Sequence, residues 1–279
     1  MAERAELIRL AVFGQPVSQS LSPRIHTLFA AQFGLEIDYR AVETTAESFG
    51  PGVGELARAG GRGCNITVPF KGDAWRLATL CSERATRAEA ANTLVFTAKD
   101  WFADNTDGGG LVGDLQDNLG LQLAGARICL LGAGGAAGGV LAALLQAGPD
   151  ALVIANRTEA RAAELAARHA DLGPVESGTL SAVGELEPFD LLINATSLGH
   201  QGKAPDIEAS RIKSGGLCYD MNYGQAAEPL RARCAELQID YSDGLGMLVG
   251  QAALSFRLWT GKSPDQAAVL AALRRPPGE

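Results

Sequence analysis

No run of eighteen or more apolar residues occurs in the chain, so no segment is built to cross a bilayer as a helix. The opening residues, Met1-Ala2-Glu3-Arg4-Ala5-Glu6, lack the basic start and long apolar stretch of a secretory signal, which points to the cytoplasm. Cysteine is scarce and shows no pairing pattern. The five residues Cys64, Cys81, Cys129, Cys218 and Cys234 are odd in number, scattered and without C-x-x-C spacing. That excludes a disulfide framework and fits free thiols in a reducing compartment. Histidine is scarcer still: His26, His169 and His200 show no ligand spacing, so no metal is expected. An excess of positive charge is also missing. With 24 Lys and Arg against 32 Asp and Glu, the net charge is -8, which argues against the basic stripe that nucleic-acid binding requires. A small anionic substrate stays possible, because a local pocket can oppose the overall sign.

What is present reads as an ordinary globular α/β chain. The 279 residues, 47% hydrophobic and 20% charged, suit two modest domains or one large one. Apolar runs at 7–13, 37–42, 64–68, 127–131, 151–155, 189–194 and 216–220 read as strands. Helical stretches fall between them, at 111–119, 140–146 and 157–168, and two more close the chain at 248–259 and 264–273. Residues 43–59 are helical in composition but interrupted by Gly50, Pro51, Gly52 and Gly54. Ser22 is placed to cap a helix that begins at Pro23. The β-α-β rhythm predicts a parallel sheet with helices on both faces.

The strongest local signal is Gly132-Ala133-Gly134-Gly135-Ala136-Ala137, a G-x-G-x-x-A match with a strand before it and a helix after it. Gly132 permits the tight turn, Gly134 lets backbone approach a pyrophosphate, and Ala137 lets helix and strand pack closely. The helix N-terminus then offers free N–H groups to the phosphates. The competing reading is a glycine-rich connection that binds nothing. The next strand ends in Asn156-Arg157-Thr158, with no acid in the place where an NAD enzyme holds its ribose. Arg157 can fork onto a 2′-phosphate, Thr158 can add a hydroxyl donor, and Arg161 lies one helical turn on, which together favour NADP. A solvated helix charge is the alternative for each arginine, more readily for Arg161.

Two polar clusters stand out in the first half. Asn65-Ile66-Thr67-Val68-Pro69-Phe70-Lys71 delivers a lysine at a strand end, and Asn105-Thr106-Asp107-Gly108 places an aspartate in a turn. Each alone could be a surface lysine or a helix-capping aspartate, and spacing does not pair them.

The whole set of motifs resembles the shikimate dehydrogenase family. It comprises Ser20-Leu21-Ser22-Pro23, the Asn65 to Lys71 run, Ala91-Asn92-Thr93, Asp104-Asn105-Thr106-Asp107-Gly108, Gly132-Ala133-Gly134-Gly135, Asn156-Arg157-Thr158, Asn194-Ala195-Thr196-Ser197, Tyr219-Asp220-Met221 and Asp243-Gly244-Leu245-Gly246-Met247-Leu248, in family order over nearly the whole chain. The resemblance implies an N-terminal α/β substrate-binding domain at 1–108, a Rossmann-like parallel-sheet NADP domain at 109–243, and C-terminal helices at 244–279 returning to the first domain. It implies Lys71 and Asp107 as the catalytic pair. Ser20, Ser22 and Thr67 fall where the family binds the substrate carboxylate and nearby atoms. Asn92, Asp107 and Gln251 fall where it holds ring hydroxyls, and Tyr223 where it has a further substrate contact. The cofactor would be NADP (NADPH/NADP+), held by Gly132, Ala133, Gly134, Gly135, Ala136, Asn156, Arg157, Thr158, Arg161, Thr196 and Ser197, with Gly244 and Met247 beside the nicotinamide. Arg24, although close to the serine pair, reads as a surface residue.

The activity implied is NADPH-dependent reduction of 3-dehydroshikimate to shikimate, in the shikimate pathway to chorismate and aromatic amino acids. Shikimate and 3-dehydroshikimate are the expected small-molecule partners, with no nucleic acid, membrane or metal, in a monomer or homodimer. In this scheme Lys71 supplies the proton for reduction and Asp107 orients it, so oxidation, which needs Lys71 as base, is expected to speed up toward alkaline pH. Two rivals are a quinate/shikimate dehydrogenase that accepts quinate, with either NADP or NAD, and a catalytically silent NADP-sensing or binding protein that reuses the fold.

Overall fold

Strand β1 (Ile8–Gly14) shows why the first half folds as it does. Its side chains alternate between two cores: Ala11 and Phe13 pack with Phe49, Val53 and Phe70, while Leu10 and Val12 pack with Val17, Tyr39 and Trp259. A strand buried on both faces must be apolar where it is covered, and from Leu10 onward this one is, with the exposed Arg9 near its start. The computed structural model describes residues 7–179 and 187–275; the opening hexapeptide lies outside the described residues. The chain divides into two compact units, Met1–Gly110 with Val249–Glu279, and Leu111–Leu248.

The first unit holds β1, β2 (Ile37–Glu43), β3 (Gly63–Ile66), β4 (Leu80–Cys81), β5 (Thr93–Phe96) and β6 (Trp101–Asp104) in one sheet of order β2-β1-β3-β5-β6-β4. Strands β2 and β3 lie parallel to β1, but β5 runs antiparallel to both β3 and β6. The sheet is therefore mixed, not uniformly parallel as the β-α-β rhythm suggested. The reason is the short connection between β5 and β6, which permits a hairpin and excludes a helical crossover. The helix Ala46–Arg58 runs unbroken through Pro51. Thr45 and Ser48 close a capping box at its start, and Phe49 and Val53, one turn apart, are buried, so packing outweighs the weak propensity of its glycines. The helix Ser22–Ala31 begins at Ser22 itself, with Leu21 in the cap position and no side-chain cap bond. The serine that serves the helix start is Ser20, whose Oγ accepts from the Ser22 N–H at 3.3 Å.

The second unit holds β7 (Arg127–Leu131), β8 (Ala151–Ala155), β9 (Val175–Gly178), β10 (Phe189–Asn194), β11 (Ile212–Asp220) and β12 (Asp240–Asp243), in order β12-β11-β10-β7-β8-β9. Every pairing is parallel. Counted from β7, this is the 3-2-1-4-5-6 order of a doubly wound dinucleotide fold. Its two faces are covered separately: Ile128, Leu130, Ile154 and Ile193 pack with the helix Gly135–Gln146, while Cys129, Leu131, Val153 and Leu192 pack with Leu230 and Cys234. All five cysteines are free, and burial pushes the Cys129 thiol up to about 12. Among the described residues no helix is long and apolar enough to cross a membrane, and no group of three or more His, Cys, Asp or Glu could hold a metal ion.

Candidate functional site

The first unit gathers its polar residues at one end of its sheet. Parallel strands β1 and β3 deliver the segments after Gly14 and Ile66 to the same end, and antiparallel pairing of β5 and β6 brings Asn92 and Asp107 there as well. Gly14 is required for this closeness, since a Cβ there would lie 2.2 Å from Thr67 Cγ2. The Gln15 N–H donates to the Val68 carbonyl at 3.0 Å, joining the serine-bearing loop to the lysine-bearing one.

Lys71, the first residue of the helix Lys71–Leu77, donates from Nζ to Asp107 Oδ2 at 2.5 Å. The pair is shielded, the side chains being 22% and 6% exposed. The other Asp107 oxygen accepts from Asn92 Nδ2 at 2.8 Å. The same amide also lies 2.9 Å from Thr106 Oγ1 and 3.1 Å from Gln251 Oε1. Asp107 starts the helix Asp107–Gly113, and its N–H donates to Asn105 Oδ1 at 3.1 Å. One step back, Asp104 takes a two-pronged ion pair from Arg84, with Nη2 at 2.5 Å, and accepts from Ser82 Oγ at 2.6 Å, which fixes the turn before Asp107.

A deeper layer supports this cluster. Tyr39 donates its hydroxyl to Asn65 Oδ1 at 2.7 Å, and Asn65 Nδ2 reaches the Asn92 carbonyl at 3.0 Å and Ser255 Oγ at 3.1 Å. Thr93 and Ser255 hydroxyls lie 2.7 Å apart. Asn65, Thr93 and Thr106 lie inside the family motifs but carry no assigned role, and Ser255 lies in none of them. The available signal for Ser255 was its place four residues after Gln251, on the same helix face. Behind Tyr39 lies His26, fully buried and stacked on the tyrosine ring at 4.4 Å, with no hydrogen-bond partner on either ring nitrogen among the described residues. Burial drives its pKa down to about 3, against a smaller upward effect of Asn65. Ser20 is half-buried, Ser22 buried and Thr67 half-buried. Arg24 is exposed and donates to the Ala272 carbonyl at 3.2 Å. Tyr223 belongs to the second unit, where it is half-buried just before a short 3-10 turn, Gly224–Ala227.

The second unit presents mostly backbone at the carboxyl ends of its strands. Gly132 follows β7 with φ +107°, a conformation that side chains resist, and a Cβ there would lie 3.2 Å from the Ala195 carbonyl oxygen. Its neighbours across the turn are thus Ala195 and Thr196, at the end of β10. Strands β7 and β10 are where the strand order reverses, the place where such sheets bind ligands. The helix Gly135–Gln146 starts from Gly134 with no side-chain cap, leaving first-turn N–H groups available. A Cβ on Gly134 or Gly135 would meet nothing within 4 Å, so the approach is open. Ala133 and Ala136 are half-buried beside it.

At the end of β8, Asn156 folds its side chain onto the Thr158 carbonyl at 2.9 Å. Arg157, Thr158 and Arg161 are exposed, and Thr158 makes no cap bond. Arg157 forms no ion pair among the described residues. Thr196 is half-buried, its hydroxyl on Asn194 Oδ1 at 2.7 Å, and Ser197 is exposed. Gly244 could not carry a side chain, for a Cβ would lie 2.5 Å from the Met221 carbonyl oxygen. Met247 is buried in the core of the second unit. These residues fit a dinucleotide phosphate: uncapped N–H groups, glycines where backbone must be bare, and unpaired cations after the second strand.

Comparison with known proteins agrees along the length of the chain. Residues 12–94 match the shikimate dehydrogenase substrate binding domain. Residues 114–213 match shikimate / quinate 5-dehydrogenase, and residues 244–274 the shikimate 5'-dehydrogenase C-terminal domain. The chain is 46% identical over 271 residues to the shikimate dehydrogenase (NADP(+)) of Dechloromonas aromatica, covering 94% of this chain and 96% of that one. Among solved structures, an Ael1 enzyme from Pseudomonas putida superposes with TM-score 0.90 at 40% identity, covering 96% of this chain and 99% of the other. The shikimate 5-dehydrogenase of Thermus thermophilus, solved in complex with NADP(H) and shikimate, gives TM-score 0.83 at 33% identity, with the same coverage. On the strength of these matches and of the strand order that carries them, the chain belongs to the shikimate dehydrogenase family.

Proposed function

We propose that this chain is an NADP-dependent shikimate dehydrogenase that reversibly reduces the ring ketone of 3-dehydroshikimate to the hydroxyl of shikimate. The observation that carries the reading is the shielded Lys71–Asp107 pair, 2.5 Å apart and bonded through Asn92 to Gln251. NADPH, when bound, supplies the hydride. An ammonium has three N–H donors; one is committed to Asp107, leaving others for the ketone oxygen. As negative charge grows on that oxygen, Lys71 stabilises it and gives up its proton, while Asp107 fixes the direction of the ammonium. In the reverse direction Lys71 takes the proton back. Asn92, Asp107 and Gln251 hold the ring hydroxyls, Ser20, Ser22 and Thr67 hold the carboxylate, and Tyr223 adds a further contact.

Asn156, Arg157, Thr158 and Arg161 hold the 2′-phosphate end of the cofactor. The backbone of residues 132–136 takes the pyrophosphate, with Thr196, Ser197, Gly244 and Met247 toward the nicotinamide. On this reading the first unit serves the substrate and the second the cofactor. The protein works in the cytoplasm as a monomer or homodimer, on the pathway to aromatic amino acids.

The test is reduction of NADP+ and NAD+ by the purified chain with shikimate and with quinate. Shikimate with NADP+ should be the fastest pair. A faster rate on quinate with NAD+ would transfer the assignment to quinate oxidation. Good NADPH binding with no turnover on either acid would leave a binding protein.

A further inference from the structure

The segment after β11 contains a device that the site assignments leave unused. Asp220, the last residue of β11, is buried, and one of its oxygens, Oδ2, has no partner among the described residues. The other, Oδ1, accepts three hydrogen bonds: from Asn194 Nδ2 at 2.9 Å, from the Asn222 N–H at 3.0 Å, and from Asn222 Nδ2 at 2.8 Å. An amide nitrogen has two hydrogens. The second on Asn222 Nδ2 points to the Thr196 carbonyl at 3.2 Å, and the main-chain carbonyl of Asn222 accepts from the Gly244 N–H at 2.8 Å. Both acceptors face the same nitrogen, which fixes the sense of the amide. Asn194 then accepts on Oδ1 from the Thr196 N–H at 3.0 Å and the Thr196 hydroxyl at 2.7 Å. The Asn222 side chain thus joins the ends of β10 and β11 and holds Thr196 by its backbone, while the main chain of the same residue reaches Gly244 after β12.

In the doubly wound order, the half of the sheet containing β8 takes the adenosine end of a dinucleotide, and the half containing β10 to β12 takes the other nucleotide. We infer that Asn222 is a positioning residue for the nicotinamide end of the cofactor, its side chain acting through Thr196 without any direct role at the adenosine end. This rests on the NADP reading above.

The experiment compares the full chain with Asn222→Ala and with the milder Asn222→Ser, by calorimetric titration with two ligands. One is NADPH. The other is adenosine 2′,5′-bisphosphate, which has the 2′-phosphate end and no nicotinamide. The NADPH dissociation constant should rise about threefold to tenfold, the net worth of one or two hydrogen bonds. That for the bisphosphate should stay within about twofold, as expected for a group that reaches only the other half-site. Equal weakening of both ligands in both variants would overturn the inference, because loss of fold strikes both ends alike. So would unchanged NADPH affinity. Failure of the unsubstituted chain to bind either ligand would instead overturn the NADP reading, and the inference with it.

Discussion

At the strand ends of the first sheet, the polar groups are side chains. Lys71, Asn92, Thr106, Asp107 and Gln251 hold one another, and Asn65, Thr93 and Ser255 hold them from below. At the strand ends of the second sheet, the approach is made of backbone. Gly132 is bent into a positive φ against Ala195, Gly134 and Gly135 face open space, and Gly244 is pressed onto the Met221 carbonyl. The difference follows from the tasks. Proton transfer needs a donor of one geometry, which a buried side-chain network enforces. A pyrophosphate needs several N–H groups at once, which only bare backbone supplies. The first unit should therefore fail when side chains are shortened, and the second when they are added.

The largest effect tests the first half of that contrast. Lys71→Ala should lower turnover by about 10²–10⁴, the usual worth of a positioned proton donor, and move the KM for shikimate much less. Steady-state kinetics read both, and a collapse of KM with turnover intact would make Lys71 a binding group only. Next, Arg157→Ala, the exception in a backbone site, should weaken NADPH on the order of tenfold to a hundredfold and leave NADH nearly unchanged. Equal losses for the two cofactors would remove the 2′-phosphate role.

Gly132→Ala tests the other half. The alanine must adopt φ +107° with its Cβ 3.2 Å from the Ala195 oxygen. Such strain costs about 1–3 kcal/mol, so urea unfolding should shift to lower denaturant and NADPH affinity should fall, with no comparable change in a shikimate analogue's affinity.

The last contrast is in pH dependence, where the units differ in sign. His26 is held neutral, its pKa lowered from 6.5 to about 3 by burial. The unfolded chain takes up this proton first, so its contribution to stability is present above 6.5 and is lost as pH falls toward 3. Asp220 is the reverse: burial raises its pKa from 3.8 to about 6, with Asp243 adding to the rise. Its contribution is present below 3.8 and is lost as pH rises through 6. Denaturation curves between pH 4 and pH 7 should therefore lose their acid-side decline in His26→Phe and their opposite slope in Asp220→Asn. Parallel curves for both variants and the unsubstituted chain would erase this difference between the units.

The central strands of the second sheet were the easier to read, while its edge strands β9 and β12, four residues each, were missed. Strands β7, β8 and β10 fall where apolar runs placed them, because a parallel strand covered on both faces is apolar over most of its length, with Arg127, Asp190 and Asn194 as the polar members here. In the first unit, β4 is two residues long, and β5 and β6 are four each with half-buried ends, too short for periodicity to show. The helix Ala46–Arg58 was obscured by its own glycines and proline. Its continuity depends on contacts with β1, where a Cβ on Gly52 would already lie 3.2 Å from the Phe13 ring.

The sequence alone determined the glycine turn and its flanking strand and helix, the absence of an acid after β8, and the residue types able to move a proton. These are local properties, set by backbone conformation and side-chain chemistry within a few positions. The tertiary structure decided that Lys71 and Asp107 meet, that Asn92 bridges them to Gln251, and that Asn222 ties three strand ends together. Those contacts join residues far apart in the chain. Only strand order and register bring them within hydrogen-bond reach.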